Sequence, residues 1–361
     1  MGHALNNTMQ DILIRRARMK GFNTLWVPGT DHAGIATQNV VEKKLKKEGI
    51  SRHSLGREKF IKKIWEWKKQ YGNTIINQLK KLGCSCDWSR ERFTMDKEYS
   101  KAVNKAFKTY YNKGYIYKGT RVINWCPRCQ TSLSDLEIEY KQQKGKLYYF
   151  KYDKKFPITI ATTRPETKLG DTAVAVNPKD SRYKKYIGKI YDINLNGVKR
   201  KIKIIAARSI DMKFGTGALG VTPAHSIIDA ELAEKYKLPS IQVIDKYAKM
   251  TKEAGKNYNG LKVLEARKKL VDYLKKNKLL IKTEEIDNNL SICYRCGKPL
   301  EPQPSKQWFL KMNKLVKPAI DVVKKGKIKF YPARWKKVYI DWLENIKDWC
   351  ISRQIWWGHQ I

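Results

Sequence analysis

An α/β fold carrying a second, β-rich domain is the architecture this sequence predicts, and three observations predict it. Helical apolar spacing dominates the first stretch. Short β-rich runs punctuated by Gly, Pro and Asn take over from about Gly145, and tryptophan-rich segments return before Ile361. At 361 residues the chain exceeds the usual size of one compact domain, so two domains with a small metal module are expected.

Each element has its own signal. Met9, Ile12, Leu13 and Met19 share one face of an opening helix. Arg15, Arg16 and Arg18 cluster near its end, where cations suit the helix dipole, and Gly21 closes it. The apolar run from Phe22 to Val27 predicts a strand, and Pro28 to Gly34 a loop that starts the next helix, together a βα unit. Phe60, Ile61, Ile64, Trp67, Tyr71, Ile75 and Leu79 recur near a 3.6 period and predict one helix over 58–82. Tyr99, Val103, Phe107 and Tyr110 predict another, and these aromatic stripes read as core. Strands are predicted over 146–152, 158–162, 172–176 and 198–206, which suggests a barrel-like domain, and a helix over 261–277 follows.

Hydrophobic residues make up 42% of the chain and aromatics 11%, which argues against disorder. No apolar run approaches the ~18 residues of a membrane span and no signal-peptide pattern opens the chain, so a cytoplasmic protein without a membrane partner is expected. Lys and Arg number 75 against 34 Asp and Glu, a formal charge of +41. Such a field attracts polyanions, nucleic acid above all, through phosphate contacts and counterion release. Lysine spread over solvated faces would give part of the same excess, and both sources stay open.

Four of the seven cysteines fall into Cys126-Pro127-Arg128-Cys129 and Cys293-Tyr294-Arg295-Cys296, each a turn suited to presenting two thiolates to a metal. Joint coordination of one structural Zn²⁺ requires the intervening domain to leave and return at one point. A redox dithiol beside an incidental pair is the alternative, although neither pair opens a thioredoxin-like unit. Cys84, Cys86 and Cys350 read as ordinary, partly buried thiols.

The motifs together identify a resemblance. Met1-Gly2-His3 and the following Ala4 to Asp11, Gly29-Thr30-Asp31-His32-Ala33-Gly34-Ile35-Ala36-Thr37-Gln38, Ile160 to Thr167 with its T-T-R-P-E-T core, and Trp349 to His359 resemble blocks of the class I valyl-tRNA synthetases along the whole chain. The resemblance implies a partial Rossmann-type catalytic domain over 1–143, an inserted β-barrel-like α+β editing domain over 144–290, and a return to the catalytic domain with zinc knuckle and amino-acid pocket over 291–361.

It also implies roles. Gly2 and His3 match the HIGH-type ATP site, where glycine lets the backbone approach the nucleotide and His3 donates to phosphate oxygens. ATP with Mg²⁺ is the implied co-substrate. Asp31 matches the carboxylate that receives the α-ammonium of valine, and Trp308 and Trp357 are favoured for the apolar pocket, with packing as the alternative for each. Such a pocket separates valine from isosteric threonine only about a hundredfold, so a hydrolytic site for threonyl-tRNA is expected.

Its residues, by resemblance, are Thr162, Thr163, Arg164, Lys213, His225 and Asp229, with Asp229 holding the amino group of the misattached residue and the threonines positioning ester or water. The family commonly has H-D-P where this chain has His225-Ser226-Ile227, which puts editing strength in question. Lys249-Met250-Thr251-Lys252 mimics the ATP-site K-M-S-K-S loop but falls inside the editing region and is rejected as that loop.

The resemblance places the family's first HIGH histidine, its second nucleotide-binding half and its anticodon-binding helices outside residues 1–361. A chain truncated at both ends is therefore expected, with tRNA(Val), valine and ATP as partners alongside a complementing C-terminal fragment. Three functions stay open: part of a valine-tRNA ligase with editing, a stand-alone deacylase of mischarged tRNA, or a non-catalytic zinc-stabilised RNA-binding remnant.

Overall fold

A computed structural model describes residues 1–361. It is a mixed α/β structure that divides into two compact units, Met1–Ile116 with Gln354–Ile361, and Tyr117–Arg353. No helix among the described residues is long and apolar enough to cross a membrane.

The first unit contains α1 (Gly2–Met19), β1 (Gly29–Thr30), α2 (Gly34–Lys47), α3 (Arg52–Leu55), α4 (Arg57–Tyr71), α5 (Thr74–Lys81), β2 (Arg92–Phe93) and α6 (Lys97–Asn112). Val41 and Leu45 of α2, Phe60 and Ile64 of α4, and Trp357 form its core. The opening helix forms as its spacing predicts but buries no residue. Polar contacts hold it instead: Asp11 accepts from the Ser85 amide at 2.8 Å and its hydroxyl at 2.6 Å, and Arg15 donates to the Gly83 carbonyl at 2.7 Å.

Two expectations fail here. Phe22–Val27 is not a strand, and only Gly29–Thr30 form a ladder, parallel to Arg92–Phe93. An apolar run becomes a strand only when a neighbour satisfies its backbone groups, and β2 is two residues long. The single helix over 58–82 is two, parted at Gly72 and Asn73. Gly72 lowers helix propensity at the break, and a Cβ there would lie 2.5 Å from the Lys68 carbonyl oxygen.

The second unit comprises β3 (Ile116–Cys126, from its second residue), β4 (Thr131–Leu133), β5 (Ile138–Phe150), β6 (Ile160–Thr162), β7 (Ala173–Val176), β8 (Ile190–Leu195), β9 (Val198–Ala206), β10 (Ala218–Val221), α7 (Ile227–Tyr236), α8 (Val263–Lys276), β11 (Leu280–Cys293), β12 (Gln303–Leu310), α9 (Asn313–Lys324), α10 (Arg334–Glu344) and β13 (Trp349–Cys350). Its strands form three sheets, ordered β10-β7-β9-β8, β11-β5-β6 and β13-β12-β3-β4. No closed barrel forms among the described residues. In the first of these sheets β10 and β8 remain edges, whereas closure needs every strand paired on both sides.

Layering takes the place of closure. Along β7, Val174 and Val176 face the main core, which includes Leu270 and Leu274 of α8. Ala173 and Ala175 face the opposite cluster, where Leu232 and Tyr236 of α7 pack. A period-2 alternation of small and branched residues thus fills both faces, so the sheet is covered rather than wrapped. The β5–β11 ribbon pairs Phe150 with Leu280 at one end and Ile138 with Cys293 at the other.

Candidate functional site

The ribbon register explains the metal cluster. Cys293 lies opposite Ile138, and β3 and β4, on either side of the first cysteine turn, pair Cys126 with Thr131. The Sγ atoms of Cys126, Cys129, Cys293 and Cys296 all fall within 4.8 Å of one another. Each turn closes with a left-handed residue, Gln130 at φ 51° and Gly297 at φ 65°. Their amides donate to the Cys126 and Cys293 carbonyls at 2.7 and 2.8 Å.

The Cys129 amide donates to the Cys126 sulfur at 3.3 Å. A tetrahedral shell with Zn–S near 2.3 Å places sulfurs about 3.8 Å apart, and Cys126 to Cys296 measures 3.5 Å. The donor set therefore fits a four-thiolate ion. Cys129 and the second pair push the Cys126 thiol up, while Cys126 pulls Cys293 down, so crowding opposes four simultaneous thiolates unless a cation balances them. Glu137 braces the cluster, accepting from Arg295 at 3.3 Å and Arg353 at 2.6 Å.

In the first unit the structure joins two blocks far apart in sequence. The Trp357 indole donates to the His32 carbonyl at 2.8 Å, and Gln38 Oε1 accepts from the Trp356 and Trp357 amides at 2.9 and 3.3 Å. A Cβ on Gly34 would lie 3.0 Å from Ile355 Cδ1 and 3.4 Å from the Trp357 carbonyl oxygen, so the two blocks approach closely there. His32 also packs edge-on to Trp357 and His359, and burial lowers its pKa. Its Nδ1 lies 2.6 Å from Thr94 Oγ1 and 4.0 Å from Asp31 Oδ2.

Asp31 is exposed, with Oδ1 accepting from the Ala33 amide at 2.5 Å, so one oxygen stays open to a cation while Trp357 is fully buried. Gly2 and His3 sit exposed in the first turn of α1. Among the described residues no hydrogen bond, ion pair or ring contact joins them to Asp31 or Trp357. Trp308 belongs to the second unit, partly exposed on β12, with its amide donating to Ser352 Oγ at 2.9 Å and Lys118 over its ring.

The editing candidates do not act alike. Asp229 is buried in the first turn of α7, and its Oδ2 accepts from the Thr222 amide at 2.8 Å. Ser226 caps that helix, its hydroxyl accepting from the Asp229 amide at 3.3 Å. Serine and aspartate are comparable N-caps, so the departure from H-D-P keeps the helix start. His225 is buried, with Nε2 accepting from the Val243 and Ile244 amides at 2.9 and 3.1 Å. Two donors at Nε2 fix the proton on Nδ1, which donates to the Pro302 carbonyl at 3.0 Å. Burial depresses this imidazole to about 4. Both nitrogens are occupied, so His225 organises backbone.

Arg164 pairs with Glu301 and, at 3.4 Å, with the fully buried Glu166, which also takes a two-point contact from Arg267 at 2.8 Å. Thr162 Oγ1 accepts from the Arg164 amide at 3.0 Å, and Thr163 is partly exposed beside it. Lys213 is exposed in the 207–217 loop, where a Cβ on Gly215 would lie 2.8 Å from Ala161 Cβ. A cleft of about 1520 Å³ in the same unit is lined by Ile227 and Glu231 but by none of the editing candidates.

Sequence reasoning missed a buried polar cluster of Tyr152, Lys168, Asp171 and Thr222. Its one legible signal is a lysine three residues before an aspartate, inside the otherwise apolar Leu169-Gly170 stretch.

A family model described as tRNA synthetases class I (I, L, M and V) matches residues 1–361. The chain belongs to this family. It is 55% identical over 364 residues to a valine–tRNA ligase of Carboxydothermus hydrogenoformans, covering 100% of this chain and 41% of that protein. A valine–tRNA ligase of Thermotoga maritima is 52% identical over 365 residues, with 100% and 42% covered. The chain thus spans about two fifths of the length of these curated relatives. A crystal structure of an Agrobacterium radiobacter K84 LeuRS–tRNA–LeuAMS ternary complex overlaps 82% of this chain and 46% of its own, at 18% identity and a TM-score of 0.31, too low to bear on domain arrangement.

Proposed function

We propose that residues 1–361 form the valine-recognising and editing part of a valine–tRNA ligase, an enzyme that activates valine with ATP and Mg²⁺, charges tRNA(Val) and hydrolyses threonyl-tRNA. The observation that carries this reading is the end-to-end similarity to valine–tRNA ligases. Supporting it, the Gly29 to Gln38 block and the Trp356–Trp357 block meet around His32, and Asp229 lies buried on a fixed backbone amide. The Rossmann-type arrangement over 1–143, the editing domain over 144–290 and the return over 291–361 belong to the same reading.

In this reading Asp31 receives the valine α-ammonium, with Trp357 as a pocket wall. Gly2 and His3 serve the ATP phosphates. At the editing site Asp229 binds the free α-ammonium of the misattached residue, and the Thr162 and Thr163 hydroxyls orient the ester and water, with Arg164 holding their turn and Lys213 facing tRNA. Water adds to the ester carbonyl and the bond to the terminal ribose breaks, releasing amino acid and tRNA with a free hydroxyl. The four cysteines hold Zn²⁺, which supplies rigidity where the ribbon begins and ends. Activation needs the remainder of the ligase, a complementing segment included, and the setting is the cytoplasm.

The test is hydrolysis of threonyl-tRNA(Val) by the purified chain, with valine-dependent ATP–pyrophosphate exchange measured in parallel. Hydrolysis abolished by Asp229→Ala, without exchange by the chain alone, is expected. No hydrolysis by folded protein overturns the editing reading. Metal analysis is expected to find one zinc per chain, lost in Cys293→Ser.

A further inference from the structure

Lys168 is 5% exposed, and no role has been assigned to it. Its Nζ donates to the Gly220 carbonyl at 2.6 Å and to Thr222 Oγ1 at 2.8 Å, and lies 3.3 Å from Asp171 Oδ1. Thr222 in turn donates its hydroxyl to Asp171 and its amide to Asp229 at 2.8 Å. Tyr152 donates to the other Asp171 oxygen.

The space for this cluster exists because residue 220 has no side chain. A Cβ there would lie 2.4 Å from Asp171 Oδ2, 2.7 Å from the Tyr152 hydroxyl and 3.1 Å from Lys168 Cδ. Burying an ammonium is costly unless charge and hydrogen bonds compensate it. Here two of the Lys168 contacts, to the Gly220 carbonyl and the Thr222 hydroxyl, lie at the end of β10, where the chain runs on toward Asp229, and the third is the Asp171 carboxylate that balances its charge.

We propose that Lys168 is a positioning residue of the hydrolytic site, fixing Thr222 so that its amide holds the Asp229 carboxylate where it reads the free α-ammonium of the misattached aminoacyl group. Lys168 touches no substrate. It acts through Thr222, and the inference rests on the editing reading above. A charge-assisted network is suited to this task because a threonine held only by its own backbone would leave the end of β10 free to shift.

The experiment compares hydrolysis of threonyl-tRNA(Val) with that of N-acetyl-threonyl-tRNA(Val), which lacks the ammonium. Wild type is expected to prefer the free amine. Lys168→Met is expected to cut that preference roughly tenfold or more, because Asp229 is displaced while the ester-handling residues remain. A general loss of folded protein would slow both esters equally and leave the ratio intact. Lys168→Met/Asp171→Asn, which removes both buried charges together, is expected to keep the wild-type thermal melt and still lose the preference. A wild-type preference retained by both variants overturns this inference alone. Wild-type silence on both esters overturns the editing reading and this inference with it.

Discussion

The two units solve the same problem, holding distant sequence blocks in register, by different physics. In the first, a small core of Val41, Leu45, Phe60, Ile64 and Trp357 supports blocks joined by an indole donor, one glutamine oxygen and edge-on rings. In the second, a large apolar core surrounds fully compensated charges: Glu166 between Arg267 and Arg164, and Asp171 beside Lys168. Low dielectric strengthens such pairs and makes breaking them expensive. The second unit can therefore place charge rigidly, which a carboxylate reader needs, while the first leaves Asp31 exposed.

The most severe way to break this contrast is Glu166→Ala, which leaves Arg267 without its carboxylate beside a buried cavity and leaves Arg164 with Glu301 alone. A loss of about 3–5 kcal/mol is expected, read as the urea midpoint of the second unit's transition. A loss below about 1 kcal/mol would mean the network behaves like a surface pair and would remove the contrast.

The next test is pH. His225 sits near 4 when folded, against 6.5 in the unfolded chain, because burial disfavours its charged form. The unfolded state therefore binds the extra proton between those values. Stability is complete above pH 6.5 and is lost as pH falls toward 4, by about 3 kcal/mol. Urea midpoints against pH are expected to show this slope, and His225→Asn to flatten it. An unchanged slope in the variant assigns the acid sensitivity elsewhere.

Smaller effects sharpen the other side. Trp357→Phe removes the donor to His32 and part of the buried area, at a cost of about 1–2 kcal/mol. Denaturation followed by tryptophan fluorescence is expected to locate the loss in the first unit, with threonyl-tRNA hydrolysis unchanged. Ser226→Ala removes the α7 cap for about 1 kcal/mol, and Ser226→Asp, which restores the family's residue, is expected to match wild type in the same melt. A Ser226→Asp variant far more stable or more active would show that the serine does more than cap.

Much of the local structure was legible. The strands at 160–162, 173–176 and 198–206 and the helix at 263–276 lie where alternation and 3.6 spacing placed them, because those patterns reflect the faces that become buried. Phe22–Val27 misled because apolarity marks burial potential, not a hydrogen-bonding partner. The barrel misled because alternating short strands serve covered sheets and closed ones equally. In the site, the cysteine spacing announced a thiolate cluster. Lys168 stayed hidden because a single lysine in so basic a chain reads as surface, and its burial depends on Gly220, 52 residues away.

By itself the sequence determined the family, the periodic elements and the two thiol pairs, since each is written in residue type and short spacing. Only the tertiary structure decided that the thiol pairs meet, that His225 spends both nitrogens on backbone, and that a buried lysine stands behind Asp229. Those outcomes depend on which surfaces exclude water together and on the register of β5 against β11, quantities that no local window of residues contains.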